Sequence, residues 1–229
     1  MEAYTTGSSV LGIIYKDGVM LVADKQLSYG STARYFGIKR MKKISDNCII
    51  SAGGEYSDFQ EICSILEARQ EDSECYADGH HISPKAFHSY STRLLYNKRS
   101  KLEPLNVRLV VAGIDSDKPF LGTVDLYGTP IVNNFIATGM GEHLARPLIA
   151  KKGDELEKMS REEAKAFLME CMSVIFMRNT QAYHECELMS VHMEDTEGGE
   201  KKVVVDEPEH LTVDTKGKWD TPLSIKLPI

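Results

Sequence analysis

The chain has 229 residues, of which 42% are hydrophobic and 27% charged, and 27 basic against 34 acidic side chains give a net charge of −7. This composition is that of a folded globular protein, so it excludes a disordered, collagenous or coiled-coil chain. The acidic balance leaves no excess of Lys and Arg to neutralise a phosphate backbone, which argues against nucleic acid as a partner.

Neither a membrane segment nor a secretion signal is expected. No apolar run approaches the length that crosses a bilayer, and residues 1–7 lack the basic start and apolar centre of a signal peptide. The five cysteines are an odd number, widely spread, and include no C-x-x-C pair. They favour buried free thiols in a reducing compartment, which agrees with the cytoplasm or the nucleus.

The first fifty residues are expected to form strands. Residues 8–15 and 19–23 are continuous apolar runs joined by the turn Asp17-Gly18, a pattern typical of a β-hairpin. A third run, residues 47–52, is followed by two glycines. Because these runs are apolar throughout rather than alternating, we expect strands that are covered on both faces.

Helical periodicity begins after these strands. Apolar residues from Phe59 to Leu66 recur at helical spacing, with Ser57 placed as the N-cap. A second helix is expected to open at Ser83 and Pro84, because a capping serine followed by proline is typical of a helix start.

The second half of the chain runs from strands to helices and back to strands. A capping box at residues 160–163 begins the strongest helix, whereas Pro147 would kink or delay the helix before it. The other expected elements are strands over residues 107–114, 120–126 and 131–137, a helix over 141–152, and a hairpin of 187–193 and 202–206. This order suits two stacked sheets with helix pairs outside, within one domain.

Three blocks of sequence carry a resemblance to a known family. They are residues 7–12 (GSSVLG), 18–24 (GVMLVAD) and 51–54 (SAGG). Together they resemble the β subunits of the 20S proteasome, which have the N-terminal-nucleophile hydrolase fold, and the resemblance extends from about residue 5 to about residue 205. Further agreement comes from residues 28–31, 78–80, 137–141 and 177–179. The chain is most similar to the seventh β subunit of the eukaryotic ring, which is regarded as non-catalytic.

The resemblance implies an α+β fold, a four-layer αββα sandwich in which two antiparallel sheets are flanked by helix pairs. It implies a short N-terminal propeptide or extension at residues 1–7, a proteasome β-type domain at 8–213 and a C-terminal arm at 214–229. In catalytic members, cleavage after a glycine frees an N-terminal threonine. Its hydroxyl attacks the peptide carbonyl, its amine takes the proton, and a lysine held by an aspartate lowers the pKa of this system.

The first catalytic positions are partly altered in this sequence. Ser8 stands where the threonine is expected, and Asp24, sixteen residues later, matches the orienting aspartate. Arg40 replaces the lysine, and a guanidinium stays protonated and cannot relay a proton. Lys39 is adjacent, but neighbours on an extended strand face opposite sides.

The later positions depart further from the catalytic pattern. Active members carry a serine between two glycines, an aspartate after an arginine, and a second serine followed by glycine. This chain has Met140, Asn179, Ala182 and Tyr183 at those places. Because losses within one proton network are non-additive, these changes predict a subunit that is not an enzyme. Ser8 and Asp24 would then remain as buried polar groups that hold strand ends.

The C-terminal arm is the expected interaction element. In the seventh β subunit the tail is thought to cross to the opposite β ring and wedge between subunits there. The tail of this chain has apolar anchors of the kind that dominate interfaces, namely Trp219, Leu223, Ile225 and Leu227. A tail packed on its own domain is the alternative.

Two histidine-containing clusters do not form convincing metal sites. His80 and His81 have no Cys or carboxylate partner at ligand spacing, and one strand cannot point His184, Glu185 and Cys186 at a single ion. No metal and no cofactor is expected, because ATP would be used by a separate cap.

The sequence therefore predicts a non-catalytic structural subunit of the 20S core in ubiquitin- and ATP-dependent protein degradation, located in the cytoplasm and nucleus. Its partners would be other α and β proteasome subunits in stacked seven-membered rings, without nucleic acid or membrane. One alternative is an active N-terminal-nucleophile peptidase that uses Ser8 after cleavage between Gly7 and Ser8. Another is a free-standing hydrolase of the same fold that acts on a small amide.

Overall fold

The computed structural model describes residues 5–77, 79, 81–195 and 201–213. The strands are β1 (Thr5–Gly7), β2 (Val10–Tyr15), β3 (Gly18–Asp24), β4 (Leu27–Tyr29), β5 (Thr32–Tyr35), β6 (Met41–Ser45), β7 (Cys48–Glu55), β8 (Val107–Asp115), β9 (Lys118–Val124), β10 (Pro130–Val132), β11 (Phe135–Ala137), β12 (Glu185–Asp195), β13 (Lys201–Val205) and β14 (Glu209–Thr212). The helices are α1 (Tyr56–Cys75), α2 (Pro84–Ser100), α3 (Met140–Leu144), α4 (Arg146–Lys152) and α5 (Arg161–Arg178), with a 3₁₀ helix (Gly153–Lys158) before α5.

Over the described residues, the strands form two antiparallel sheets. The first has eight strands in the order β10-β9-β8-β7-β1-β4-β5, with β6 also paired to β7. The second has six strands in the order β11-β2-β3-β12-β13, with β14 also paired to β12. Helices α1 and α2 pack on the first sheet, and α4 and α5 pack on the second. The layers are helix, sheet, sheet and helix, so the predicted αββα sandwich is confirmed.

Three hydrophobic clusters fill the spaces between the four layers. Phe87 and Leu109 belong to the cluster between the first sheet and its helices, Leu21 and Val110 to the cluster between the sheets, and Leu168 to the cluster under α5. Because both faces of the central strands are covered, β2, β3 and β8 are buried almost throughout. Each fully buried Leu or Val side chain contributes about 1.5–3 kcal/mol. This double coverage explains why the strand sequences do not alternate.

The predicted helix starts at Ser83 and Ser160 are confirmed. The Ser83 hydroxyl caps α2 by accepting a hydrogen bond from the Ala86 N–H at 3.2 Å. Ser160 and Glu163 cap α5 reciprocally, because each side chain accepts from the backbone N–H of the other residue. Both ends satisfy N–H groups that a helix start otherwise leaves without a partner.

The predicted cap at Ser57 is wrong. Strand β7 continues to Glu55 and α1 begins at the next residue, Tyr56, so Ser57 lies inside the first turn. The cap position is Glu55, and no side-chain hydrogen bond caps this helix. Because β7 joins α1 directly, no loop residue lies between them to act as the predicted cap.

The single strand predicted over residues 131–137 is also wrong. Strand β10 pairs with β9 in the first sheet, whereas β11 pairs with β2 in the second. The chain passes from one sheet to the other between them. The helix predicted over 141–152 is likewise two helices, and Pro147 lies at the start of α4, where its missing N–H is not needed.

The predicted closing hairpin is confirmed in its strands. Strands β12 and β13 pair antiparallel, with Val191 opposite Val205. The tip of this hairpin, His80, and the proposed arm residues lie outside the described residues; the arm residues are Trp219, Leu223, Ile225 and Leu227. In the part of the chain that is described, no helix is long and apolar enough to cross a membrane.

Candidate active-site region

The candidate site lies where the chain passes from the first sheet to the second. Ser8 and Ser9 connect β1 to β2, which belong to different sheets. Strand β1 is held on both sides, because Thr6 lies opposite Ser28 of β4 and opposite Glu55 of β7. The residues before Ser8 are thus an internal strand of the first sheet. As long as the bond between Gly7 and Ser8 is intact, the Ser8 nitrogen is a peptide N–H rather than a free amine.

A buried ion pair lies directly beside this crossing. Asp24, the last residue of β3, is 0% exposed, and Arg40, which precedes β6, is 1% exposed. The Arg40 Nη1 atom lies 2.5 Å from Asp24 Oδ1 and 3.1 Å from the Asp24 carbonyl, and Nη2 donates to the Ala52 carbonyl at 2.8 Å. The guanidinium therefore joins β3 to β7. Lys39 is exposed, as its predicted opposite orientation requires.

Two opposing effects act on the Asp24 carboxyl. Burial raises the pKa of Asp24, and the Arg40 guanidinium opposes that rise. The backbone N–H groups of Ser9, at 3.0 Å, and Gln26, at 3.4 Å, also donate to the carboxylate. A buried charge is tolerated only when it is paired and hydrogen-bonded, so each of these donors supports the ionised form.

Gly7 makes room for Arg40. A Cβ atom at this position would lie 2.3 Å from Arg40 Nε and 2.5 Å from Arg40 Cζ, closer than real Cβ contacts. Any other residue at position 7 would require the Arg40 side chain or the strand to shift. The glycine before Ser8 therefore has a packing reason in this structure, independent of chain cleavage.

The Ser8 hydroxyl accepts a hydrogen bond rather than giving one to a base. Asn179 Nδ2 donates to Ser8 Oγ at 2.7 Å. The orientation of this amide is fixed, since Asn179 Oδ1 accepts from the Gln181 N–H at 3.0 Å. A nucleophilic hydroxyl needs a neighbouring base that takes its proton, and an amide NH₂ group cannot do so.

Two further polar residues shape the site, and the sequence did not single them out. Ser9 is fully buried, and its Oγ atom accepts from the Gly141 N–H at 3.0 Å. Thr138 Oγ1 accepts from the Val10 N–H at 3.0 Å. Both side chains thus tie the start of β2 to the stretch that runs from Thr138 into the first turn of α3. The sequence signal that could have identified Ser9 and Thr138 is a polar residue directly beside an apolar run.

An open cleft of about 570 Å³ lies beside Ser8. Its lining includes Gly53, Gly54, Met140 and Gln181. Met140 is 38% exposed, and its thioether cannot donate the hydrogen bond that a hydroxyl would. The cleft has the size of a small-ligand site, and its lining also includes Asp125 and His143, neither of which forms a hydrogen bond with the Ser8 hydroxyl.

The structure brings most of the predicted site residues together. Ser8, Asp24, Arg40 and Asn179 are linked through direct or shared contacts, and Met140 lines the same cleft. Ala182 is half-buried and packs against the cluster under α5.

The second cluster considered for metal binding has another explanation. The His184 ring stacks on Tyr183 with their centroids 3.9 Å apart, and Tyr183 also packs on Phe36 at 4.9 Å. Among the described residues, no three His, Cys, Asp or Glu side chains are grouped to hold a metal ion. These aromatic contacts attach the segment after α5 to the segment after β5.

Comparison with known proteins gives matches over most of the chain. The proteasome subunit family matches residues 4–191. Proteasome subunit beta type-4 of Xenopus laevis is 40% identical, over 83% of this chain and 79% of that protein. A probable proteasome subunit beta type-7 of Schizosaccharomyces pombe is 38% identical, over 86% of this chain and 77% of that protein. Proteasome subunit beta type-7 of Saccharomyces cerevisiae is 29% identical, over 98% and 84% respectively. The chain belongs to the proteasome subunit family, and within it to the β subunits.

Proposed function

We propose that this chain is a non-catalytic, structural β subunit of the 20S proteasome core. One observation carries the proposal: Thr5–Gly7 is a strand held between β4 and β7. While this strand remains attached, Ser8 has no free α-amino group to serve as its base. Removing the strand would also separate β4 and β5 from the rest of the first sheet, because β1 is their connection to β7.

The chemistry around Ser8 supports the same role. Arg40 is committed to Asp24 and the Ala52 carbonyl, and its guanidinium cannot exchange a proton at neutral pH. Asn179 donates to the Ser8 hydroxyl. The polar groups that remain at this place act as hydrogen-bonded joints between strands, and none of them activates a nucleophile.

The proposed place of the chain is the seventh position of the β ring. Relatives from three fungal or microsporidian species, including Encephalitozoon cuniculi, carry the name beta type-7. There the domain at 8–213 would wall the degradation chamber and contact other α and β subunits in stacked seven-membered rings. The arm at 214–229 would reach the opposite β ring. The particle would act in ubiquitin- and ATP-dependent protein degradation in the cytoplasm and nucleus, with ATP used by a separate cap.

The intact mass of this chain, measured in native particles, tests the proposal. The particles are analysed before and after exposure to an electrophile that requires both an N-terminal amine and its hydroxyl. We expect a chain that begins upstream of Ser8 and carries no adduct. Catalytic β subunits in the same particles serve as the control, because they should be labelled to completion.

Two outcomes would contradict the proposal. A chain that begins at Ser8 and carries a stoichiometric adduct would establish the alternative of an active peptidase. A chain that is absent from particles and has the native mass of a monomer or dimer would favour a free-standing hydrolase.

A further inference from the structure

The hairpin formed by β4 and β5 presents an open sheet edge. Strand β5 is the last strand of the eight-stranded sheet, and all of its residues, Thr32–Tyr35, are exposed. Among the described strands, β5 pairs only with β4, so one row of its backbone N–H and C=O groups faces outward. Natural proteins usually cover or block such edges, because they readily pair with another chain.

Exposed aromatic rings surround one arginine on this hairpin. Tyr29 is 42%, Tyr35 45% and Phe36 53% exposed, which is high for large aromatic side chains. The Arg34 Cζ atom lies 5.5 Å from the ring centroids of both Tyr29 and Tyr35. Tyr and Arg are the residue types that most often dominate the binding energy of protein interfaces.

Arg34 lacks a counter-charge within the described part of the chain. Four of the five other cations of the same segment are paired, among them Arg40 with Asp24, Lys42 with Glu67 and Lys43 with Asp46. No carboxylate described here lies within ion-pair distance of the Arg34 guanidinium, which lies over the two tyrosine rings.

The surrounding sequence also has a local excess of positive charge. Residues 25–45 contain six cations and no Asp or Glu, although the whole chain has a net charge of −7. These cations are Lys25, Arg34, Lys39, Arg40, Lys42 and Lys43. Lys25, Arg40, Lys42 and Lys43 are paired with carboxylates of this chain, which leaves Arg34 and Lys39 to complement an acidic partner.

The hairpin is also held in place before any partner arrives. Gln181 Nε2 donates to the Gly30 carbonyl at 2.7 Å, which fixes the turn between β4 and β5. Phe36, just after β5, packs on Tyr183. A surface that is already ordered loses little conformational entropy on binding.

We propose that the β4–β5 hairpin is the docking surface for an extended, carboxylate-bearing segment of another proteasome subunit. The carboxylate would pair with Arg34 between the two tyrosine rings, where a guanidinium can hold it with two hydrogen bonds. The segment's backbone would pair with the free edge of β5. This inference rests on the proposed role of the chain as a ring component.

Zero-length cross-linking in intact particles identifies the partner group. A carbodiimide joins an amine to a carboxylate only in direct contact, so Arg34→Lys provides the amine while keeping the charge. Arg99→Lys is the matched control, because Arg99 also lies over an exposed ring, that of Tyr96, at 5.8 Å. We expect position 34 to be joined to an Asp or Glu of one other subunit, at a yield about tenfold above position 99.

Charge reversal gives a second, independent readout. Full-length Arg34→Glu and Arg99→Glu chains are each expressed with the wild-type chain, and their shares in purified particles are compared by mass spectrometry. We expect Arg34→Glu to be incorporated at least about tenfold less, because like charges across an interface cost several kcal/mol. Equal melting temperatures of the two purified chains establish that both are folded.

The outcomes separate this inference from the proposed function. Equal incorporation of the two charge-reversed chains, or a cross-link from position 34 only to its own chain, would overturn the docking surface. If Arg34→Glu fails to fold, the cross-linking experiment with Arg34→Lys alone tests the docking surface. Absence of the wild-type chain from particles would instead refute the proposed function itself.

Discussion

Arg40 is a permanent charge buried at the centre of the molecule. Its contacts with Asp24 and Ala52 connect strands of both sheets, and the pair is almost fully removed from water. A buried ion pair adds little stability compared with well-packed apolar side chains of similar volume. Removing one partner, however, leaves the other charge buried and uncompensated. The residue therefore matters for stability whether or not the site has chemistry.

Replacing Arg40 by leucine should strongly destabilise the chain. We expect a loss of about 3–5 kcal/mol in the free energy of unfolding, because Asp24 would remain buried without its partner. Urea unfolding of the full chain measures the change. The exposed neighbour Lys39 provides the control, since Lys39→Leu should change stability by less than about 0.5 kcal/mol. Equal effects of the two substitutions would contradict the structural role of the ion pair.

A second buried carboxyl, on Glu187, should make stability depend on pH. Glu187 is 1% exposed, and neither side-chain oxygen has a hydrogen-bond partner among the described residues. Burial raises the pKa of Glu187, and the Met41 N–H and the Lys25 ammonium oppose that rise without meeting hydrogen-bond geometry. The folded chain thus binds this proton more tightly than the unfolded chain. Its contribution is present at low pH and is lost as pH rises through the raised pKa.

The variant Glu187→Gln isolates this effect because it cannot titrate. We expect equal melting temperatures of the two chains near pH 4 and a more stable variant at pH 8, by about 1.4 kcal/mol per unit of pKa difference. Thermal melting across that pH range is the measurement. A wild-type chain that gains stability over the variant as pH rises would reverse the sign and refute the argument.

At the scale of single elements, the helices differ in how much a serine at or near the helix start contributes to the free energy of unfolding. Ser83→Ala should reduce stability by about 1 kcal/mol, because the Ala86 N–H loses its acceptor. Ser57→Ala is the matched control at a serine that caps nothing, and we expect a change within about 0.5 kcal/mol. Denaturant titration of both variants measures the two changes in the free energy of unfolding. A larger effect at Ser57 would mean that α1 begins later than Tyr56.

The sequence predicted where strands and helices form better than it predicted which strands pair with one another. Apolar runs identified β2, β3 and β8, and capping patterns identified α2 and α5, because these signals are local. Residues 131–137 were misassigned since periodicity does not say which sheet a strand joins. In the site, the family resemblance and its spacing from Ser8 predicted the place of Asp24 and Arg40. The roles of Ser9 and Thr138 depend on backbone N–H groups from distant segments, which no spacing rule reveals.

At the scale of the whole molecule, the burial of the cysteines shows how completely the packed layers exclude solvent. Cys48, Cys63, Cys171 and Cys186 are buried, whereas Cys75 is exposed at the end of α1. Burial raises the pKa of Cys63, Cys171 and Cys186 to about 12, so these thiols are both shielded and protonated at neutral pH.

A maleimide at pH 7 should therefore modify the native chain once, at Cys75. In urea all five thiols should react, and Cys75→Ser should leave the native chain unmodified. The intact mass after brief labelling gives the count directly. Rapid modification of two or more sites in the native chain would show that a layer opens on the timescale of the reaction.

The passage of the chain from one sheet to the other at Ser8 and Ser9 also has a consequence for motion. Two stacked sheets slide past each other easily when only apolar side chains lie between them, because such contacts have little directional preference. Here a covalent crossing is combined with a hydrogen bond from the Ser9 N–H to the Asp24 carboxylate and one from the Gly141 N–H to Ser9 Oγ. These bonds restrain shear at the Ser9 end of β2, and the crossing between β10 and β11 restrains it at the other end, where the Ile14 N–H donates to the Asn134 carbonyl at 2.8 Å. Hydrogen exchange should therefore be about as slow at the Ile14 N–H as at the N–H groups of Ser9 and Val10, and markedly faster exchange at Ile14 would show that only one end is restrained.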